Sequence, residues 1–185
     1  MKKSFLKLFS AMLLIVAFFF ANNAFAQVPA NTFGIYVGLD NDGMHSGFSY
    51  TLSNSIELGL GVIFKSESVS SDIKGFKAPD AETHVGFDLT GLYYFSKGDV
   101  NPYVELEIGY LQYPKDEDEG DIKSNDLGFG LSLGANAFIV KSFALYGSLG
   151  LYYNMYTMNH PKYSITQNTL NLLTASLGFS YYFTK

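Results

Sequence analysis

Histidines placed near hydroxyl or carboxyl groups are the residues with which this chain could perform acid–base chemistry. His45 and Ser46 are adjacent, and His84 precedes Asp88 by four positions. Adjacent residues of an extended strand point to opposite faces, and four residues span roughly 13 Å, which is far beyond hydrogen-bond reach. His160 lies in a polar segment, where solvation is the ordinary outcome. We therefore predict that the protein is not an enzyme and has no catalytic residues.

Two acidic segments are candidates for binding divalent cations. The segment from Asp40 to Gly43 has the opening spacing of a calcium loop, but the later ligands are missing, so a hairpin turn explains it better. The run from Asp116 to Asp121 contains five acidic side chains and is expected to be solvated. Weak recruitment of divalent cations by this run is the alternative that the sequence leaves open. We predict no metal site and no cofactor.

Strict alternation of apolar and polar residues indicates that the histidines and acidic residues lie on β-strands or on the connections between them. It is clearest in the segment from Thr169 to Phe183, whose second half has the apolar residues Leu173, Ala175, Leu177, Phe179, Tyr181 and Phe183 at every second position. A period of two gives a strand one apolar and one wet face. Seven more alternating segments precede it, beginning with Thr32–Leu39. The sequence therefore predicts an all-β chain of eight antiparallel strands.

The predicted connections differ in length between the two ends of the strands. Those after the odd-numbered strands span about 5, 16, 12 and 12 residues, and those after strands two, four and six span about 3, 6 and 3. The three longest loops are predicted at Ser66–Ala81, Pro114–Asn125 and Thr157–Asn168. Long loops on one rim and tight turns on the other are typical of up-and-down transmembrane barrels, whose long loops are extracellular.

The N-terminal segment has the features of a secretory signal peptide. Lys2, Lys3 and Lys7 precede the apolar run Met12–Phe20, which is shorter than the roughly 17–25 residues of a membrane-spanning helix. The small residues Ala24 and Ala26 follow. We predict cleavage between Ala26 and Gln27, which gives a signal peptide at 1–26 and one domain at 27–185. An uncleaved N-terminal anchor is the alternative.

Composition excludes several other classes of protein. The chain has no arginine, and without the predicted signal peptide it has nine lysines against 17 acidic residues, which argues against a nucleic-acid partner. It has no cysteine, so no disulfide can stabilise an exported chain of this size. No apolar run after the signal approaches the length of a spanning helix. If the protein crosses a membrane, it does so as a β-barrel.

The polar face of the strands decides between two kinds of barrel. Its ionisable members are Glu57, Lys65, His84, Asp88, Glu105 and Glu107, interleaved with glycines and serines. A soluble, exported, lipocalin-like barrel would turn the apolar face inward and bind an apolar ligand. A face with so many glycines would cover the surface of a soluble protein poorly. We therefore predict that the polar face lines the lumen. There these six side chains are expected to form a structural polar network, with a narrow cation-preferring leak as the alternative.

Aromatic residues near the strand ends support the same orientation. Membrane barrels carry a belt of aromatic side chains at each interface. The prediction assigns Tyr93, Phe95, Tyr103, Phe143, Tyr181 and Phe183 to the belt at the tight turns, and Phe64, Tyr110, Tyr113, Tyr153 and Tyr156 to the belt at the long loops.

The signal peptide, the eight alternating strands and a final strand closing on Phe183 together resemble the small eight-stranded outer-membrane barrels of Gram-negative bacteria, of the OmpA/OmpX type and the porin-like outer membrane protein β-barrel domain. The resemblance implies a monomer in contact with outer-membrane lipid and lipopolysaccharide, with a structural or surface-contact role. It also implies that Phe179, Tyr181 and Phe183 form a C-terminal signal for the barrel-assembly machinery. Barrels that deacylate lipid A make a lipid-modifying enzyme the alternative, but they use a histidine and a serine two positions apart on one face.

Overall fold

Eight strands account for nearly all of the chain that the structure describes. The computed structural model describes residues 29–41, 43–67, 82–96, 98–113 and 122–184. Its strands are β1 (Thr32–Leu39), β2 (Met44–Ser53), β3 (Ile56–Glu67), β4 (Glu82–Tyr94), β5 (Val100–Gln112), β6 (Lys123–Val140), β7 (Phe143–His160) and β8 (Tyr163–Tyr182). The predicted strand number is confirmed. No helix in the described ranges has the length and apolar character needed to cross a membrane.

The strands form a closed barrel in which every strand pairs with its neighbours in the sequence. All the pairs are antiparallel, and β1 closes the ring by pairing with β8 from Gly34↔Tyr182 to Leu39↔Leu177. The predicted up-and-down topology is therefore confirmed. The connections after β2, β4 and β6 lie at one end of the barrel, called here the turn end, and the connections after β1, β3, β5 and β7 lie at the other, called the loop end.

The apolar face of the strands points out of the barrel and the polar face points in. Phe48 is 68 % exposed and Leu133 is 64 % exposed on the outer face, whereas Ser49 is buried on the inner face. A lipocalin-like barrel would have the reverse arrangement, so that alternative is wrong. Because the side chains alternate strictly, each paired strand adds to both faces at once. The result is a barrel with a polar interior and an apolar exterior.

The loop predicted at Thr157–Asn168 is wrong, because the structure continues both strands through it. β7 extends to His160 and β8 begins at Tyr163, with pairs such as Thr157↔Thr166 between them. All residues of this hairpin from Pro161 to Leu170 are exposed. Both faces of the extension therefore meet solvent or lipid, and its sequence lacks the apolar–polar contrast of a half-buried strand. The other long loops lie largely outside the described residues, although β6 already begins at Lys123.

Three aromatic residues predicted for the outer belts are on the inner face instead. Tyr103 is almost fully buried in the lumen, two positions before Glu105 on the same face of β5. Tyr113 and Tyr156 contact each other at a ring-centroid distance of 5.5 Å, and Tyr113 also packs on the buried His84. The other members of both predicted belts are outside, mostly well exposed. The belts are therefore sparser than predicted.

The seam between β1 and β8 is the shortest pairing in the barrel. From Tyr163 to Ser176, the N-terminal part of β8 pairs only with β7 among the described residues. A bulge in this part places Leu172 and Leu173 opposite the single residue Leu151. Just past the end of β1, the Asn41 side chain continues the ladder. Its Nδ2 donates to the Leu173 carbonyl at 3.4 Å, and its Oδ1 accepts from the Ala175 N–H at 3.2 Å.

Candidate functional site in the barrel lumen

A buried cluster at the turn end closes the lumen. This turn-end plug consists of Glu57, Tyr94, Tyr103, Asn136 and Tyr182, all buried. The hydroxyls of Tyr94 and Tyr182 donate to Glu57 Oε2 at 2.9 and 3.2 Å, and Asn136 Nδ2 donates to the Tyr94 hydroxyl at 2.8 Å. A buried carboxyl group needs hydrogen-bond donors when no cation is present. The tyrosines supply those donors and fill the bore.

A further tyrosine extends along the inner face of the barrel wall to an acid in the middle of the lumen. Tyr36 on β1 reaches over β2 and β3 and donates to Asp88 Oδ2 on β4 at 3.0 Å. It passes over Gly47 and Gly61, where a Cβ atom would meet the Tyr36 hydroxyl. Glycine is therefore required at these positions for steric reasons, because the tyrosine occupies the space of their missing side chains.

Tyr146 crosses the seam between the first and last strands on the inner face. The hydroxyl of Tyr146 on β7 lies 2.7 Å from Nε2 of His45 on β2, and Nδ1 of His45 lies 3.2 Å from Asp40 Oδ2. Because a carboxylate only accepts hydrogen bonds, Nδ1 of His45 is the donor in the second contact. Side chains at Gly38 and Gly178, on the two closing strands, would occupy the position of the Tyr146 hydroxyl.

The β5–β6 wall completes the site. Tyr152 on β7 lies over Gly128 and Gly130 of β6 and extends towards β5. On β5, Glu105 and Glu107 both face the lumen, and Ser132 on β6 donates to Glu105 Oε2 at 3.0 Å. The lumen is thus built from tyrosines on β1, β4, β5, β7 and β8 and from carboxylates on β3, β4 and β5.

The six ionisable residues predicted to line the lumen all lie on the inner face. Glu57 belongs to the turn-end plug, while Asp88 and Glu105 hydrogen-bond to Tyr36 and Ser132. His84 packs on Tyr113 and pairs across the ladder with Lys65 at the loop end. Their collective role stays a prediction. The tyrosine partners of Glu57 were not predicted, although the alternation that places Asp88 inside also places Tyr94 there.

The predicted terminal features have different outcomes. Phe179, Tyr181 and Phe183 are exposed on the outer face, and their role as an assembly signal stays a prediction. The cleavage site between Ala26 and Gln27 lies outside the described residues, as does the acidic run from Asp116 to Asp121.

A cavity of about 120 Å³ occupies the lumen between the turn-end plug and the loop end. Its lining includes Tyr36, Asp40, Asn41, His45, Glu57, Ile63, Asp88, Leu92, Glu105, Glu107, Tyr146, Leu151 and Tyr152. A space of this size holds a few water molecules or one small ligand. Asp40 and Asn41 belong to the first connection at the loop end, and the plug fills the opposite end. The cavity therefore opens towards the loop end.

The described residues contain no group of three or more His, Asp or Glu side chains placed to hold a metal ion. His45 and Ser46 face opposite sides of β2, so they do not form a nucleophile–base pair. His45 instead lies between Asp40 and Tyr146, where its two ring nitrogens are both hydrogen-bonded. What the lumen offers chemically is a concentration of carboxylates beside tyrosine rings and hydroxyls.

Comparison with solved structures identifies the fold. The crystal structure of the outer membrane protein OprG from Pseudomonas aeruginosa superposes with a TM-score of 0.56 at 15% sequence identity, over 87% of this chain and 100% of that one. The chain has the fold of the eight-stranded outer-membrane barrels. The N-terminal β-barrel domain of OprF from the same organism gives a TM-score of 0.53 at 14% identity, over 84% of this chain and 100% of that domain. No protein-family model matches the sequence, and neither does any curated protein.

Proposed function

We propose that this protein is an integral barrel of the outer membrane of a Gram-negative bacterium and acts through its scaffold and its loop end. The observation that carries the proposal is the apolar exterior of a closed barrel. Side chains such as Phe48, Phe87 and Leu133 are more than half exposed around the whole wall. A soluble monomer rarely exposes an apolar patch larger than a few hundred Å². A bilayer is the solvent that such a surface requires.

The orientation follows from the two ends of the barrel. We expect the loop end at the cell surface and the turn end in the periplasm, because the longer connections of outer-membrane barrels are extracellular. Residues 1–26 would direct export and be cleaved between Ala26 and Gln27, and the exposed aromatics Phe179, Tyr181 and Phe183 would be read by the barrel-assembly machinery. The partners in the mature state are outer-membrane lipid and lipopolysaccharide, and the barrel is a monomer.

Fractionation of cells tests the location. The mature chain, beginning near Gln27, is expected in the outer-membrane fraction, and it should migrate faster on gels before heating than after because the barrel stays folded in detergent. A known periplasmic protein serves as the fractionation control. Recovery of the chain with that control, in soluble form, would remove the basis of the proposal.

Within this location, we propose that the β7–β8 hairpin is the part of the surface that makes contacts. It rises beyond the end of β1, and residues 161–170 are exposed throughout. From Tyr163 to Phe183 it has no charged residue and no proline, and the edge of β8 that faces away from β7 has no described strand partner above Leu177. An uncharged, unpaired edge is suited to binding an extended segment of another protein by strand addition.

A hairpin-shortened variant separates a contact role from a role in envelope integrity. Asn154 pairs with Thr169, so Met155–Asn168 can be replaced by a two-residue Asn-Gly turn that keeps the barrel register. In a strain lacking the chromosomal gene, this variant should restore detergent resistance as fully as the wild type but fail to restore attachment to surfaces or cells. If it restores both, the hairpin is not the contact surface.

A further inference from the structure

The cavity in the lumen has a strong excess of acidic side chains. Five carboxyl groups line it, those of Asp40, Glu57, Asp88, Glu105 and Glu107, and His45 is the only basic side chain in the lining that the structure describes. Asp40 is in contact with His45, and Glu57 receives two tyrosine hydroxyls. One imidazole therefore faces five carboxyl groups, among them Asp88, Glu105 and Glu107. Carboxylates in so confined a space favour a bound positive charge.

These three acids share one wall. Glu105 and Glu107 are two residues apart on β5, so their Cα atoms are roughly 7 Å apart on the same face. Asp88 pairs with Gly109 while Glu107 pairs with Thr90, which makes Asp88 and Glu107 diagonal neighbours across the β4–β5 ladder. Diagonal neighbours are about 7–8 Å apart, within reach of one small ligand.

Asp88 supplies an independent observation that points to a ligand. Its side chain is 4 % exposed, and Oδ2 accepts from Tyr36, but Oδ1 is buried with no hydrogen-bond partner among the described residues. That oxygen lies in the lumen over Gly61, in space that a Cβ atom there would need. A buried carboxylate oxygen without a donor is costly, so the position calls for a donor that the protein itself does not supply.

The rest of the lining selects the kind of cation. It carries the rings of Tyr36, Tyr146 and Tyr152, and the aliphatic side chains of Ile63 and Leu92 also contribute to it. A bare divalent ion prefers a shell of oxygens, and no cluster of ligands for one exists in the described residues. An ammonium group on a short hydrocarbon chain would use both the acidic and the aromatic and aliphatic parts of this lining, since aromatic faces attract cations and the chain contacts carbon.

We propose that the lumen cavity binds a small primary alkylammonium ion, whose ammonium group donates to Asp88 Oδ1 and Glu107. The cavity of about 120 Å³ accommodates a chain of about four carbons, since benzene fits a cavity of about 150 Å³. The ligand enters from the loop end, past Asp40 and Asn41, because the turn-end plug fills the other exit. This site is separate from the proposed hairpin contact surface, and neither depends on the other.

Titration of the folded barrel with n-butylammonium chloride, followed by NMR on glycine-labelled protein, tests the proposal. The amide signals of Gly61 and Gly130, which lie against the cavity walls, should shift saturably, while Gly98 in a turn-end connection should not. Two controls with the wild-type protein separate the possible causes. 1-Butanol has the same chain without the charge, and sodium chloride supplies a cation without the chain.

Asp88→Asn and Glu107→Gln should each weaken n-butylammonium binding at least tenfold, about 1.4 kcal/mol, whereas Asp99→Asn, at the turn end, should leave it unchanged. Equal saturable shifts with 1-butanol would show a merely apolar pocket, and equal shifts with sodium a general counter-ion effect. Either result, or unchanged affinity in both variants, would overturn the proposal. Because the wild-type comparison needs no variant, the test stands even if one substitution prevents folding.

Discussion

Tyr146 and His45 are 101 residues apart in the chain and share a hydrogen bond of 2.7 Å inside the barrel. The tyrosine belongs to β7 and the histidine to β2, so the bond spans both strands that close the ring. It exists because Gly38 and Gly178 leave room above the seam. The same arrangement recurs where Tyr36 crosses Gly47 and Gly61 to reach Asp88. Long-range contacts in this barrel are thus made by tyrosines lying over glycines.

A side chain at the seam should therefore be destabilising. In Gly38→Val the new methyl groups would displace the Tyr146 hydroxyl and the His45 ring, with an expected cost of about 1–3 kcal/mol. Urea unfolding of the refolded barrel in lipid vesicles measures this. Gly91→Ala is the matched control, since a Cβ there meets only Leu58 at 3.9 Å. Equal stability of both variants would show that the tyrosine moves aside freely.

A charged side chain on the outer face should destabilise the barrel more when it lies deeper in the bilayer. Leu131 is exposed in the middle of β6, so Leu131→Lys should cost about 2–4 kcal/mol in the free energy of unfolding from a bilayer. Ile165→Lys, on the hairpin beyond the barrel, is the control and should cost about 0–1 kcal/mol. Vesicle-refolded protein unfolded in urea gives both values. A tolerated lysine at Leu131 would mean that this face does not contact lipid.

The turn-end plug should limit conduction. In planar bilayers the wild-type barrel is expected to give small, intermittent, cation-preferring currents, because the plug fills the bore and the lumen carries more acids than bases. Replacing Tyr94 and Tyr182 together by alanine removes both hydroxyl donors to Glu57 and most of the plug volume, and should raise the current. Large, steady, unselective currents from the wild type would contradict this assignment of the bore.

The Asn41 side chain should protect the edge of β8. Asn41→Ala removes a donor to the Leu173 carbonyl and an acceptor for the Ala175 N–H. Leaving such groups unpaired costs about 1–3 kcal/mol, and the Ala175 amide should exchange faster with deuterium. Asn54→Ala, in an exposed turn at the opposite end, provides the comparison. Unchanged exchange at Ala175 would indicate that water or another group already pairs with that amide.

Much of the fold follows from alternation alone. In β6 the period of two is unbroken from Leu127 to Ala137, because one face meets the lumen and the other the exterior. The hairpin beyond Thr157 could not be predicted in this way, since both of its faces share one kind of surroundings and Ser164, Thr166 and Gln167 show no contrast. There the pairing of β7 with β8 continues without a pattern to indicate it.

For the candidate site, the sequence could predict which side chains face the lumen but not which of them contact one another. The alternation that places Glu105 inside also places Tyr103 inside, and an aromatic residue near a strand end need not belong to a belt. The approach of Tyr94 and Tyr182 to Glu57 depends on how the strands are staggered around the ring. That stagger is a property of the closed barrel and not of any one strand.

The short seam has a consequence for biosynthesis. Its six residue pairs join β1, the first strand to be made, to β8, the last. The ring therefore cannot close until the whole chain has been synthesised and exported, and pairs so distant in sequence form slowly. Until then, the two strand edges stay available to other chains. A truncated chain without β8 would retain seven strands yet have no way to close, so loss of the residues from Tyr163 onwards should target the entire protein for degradation.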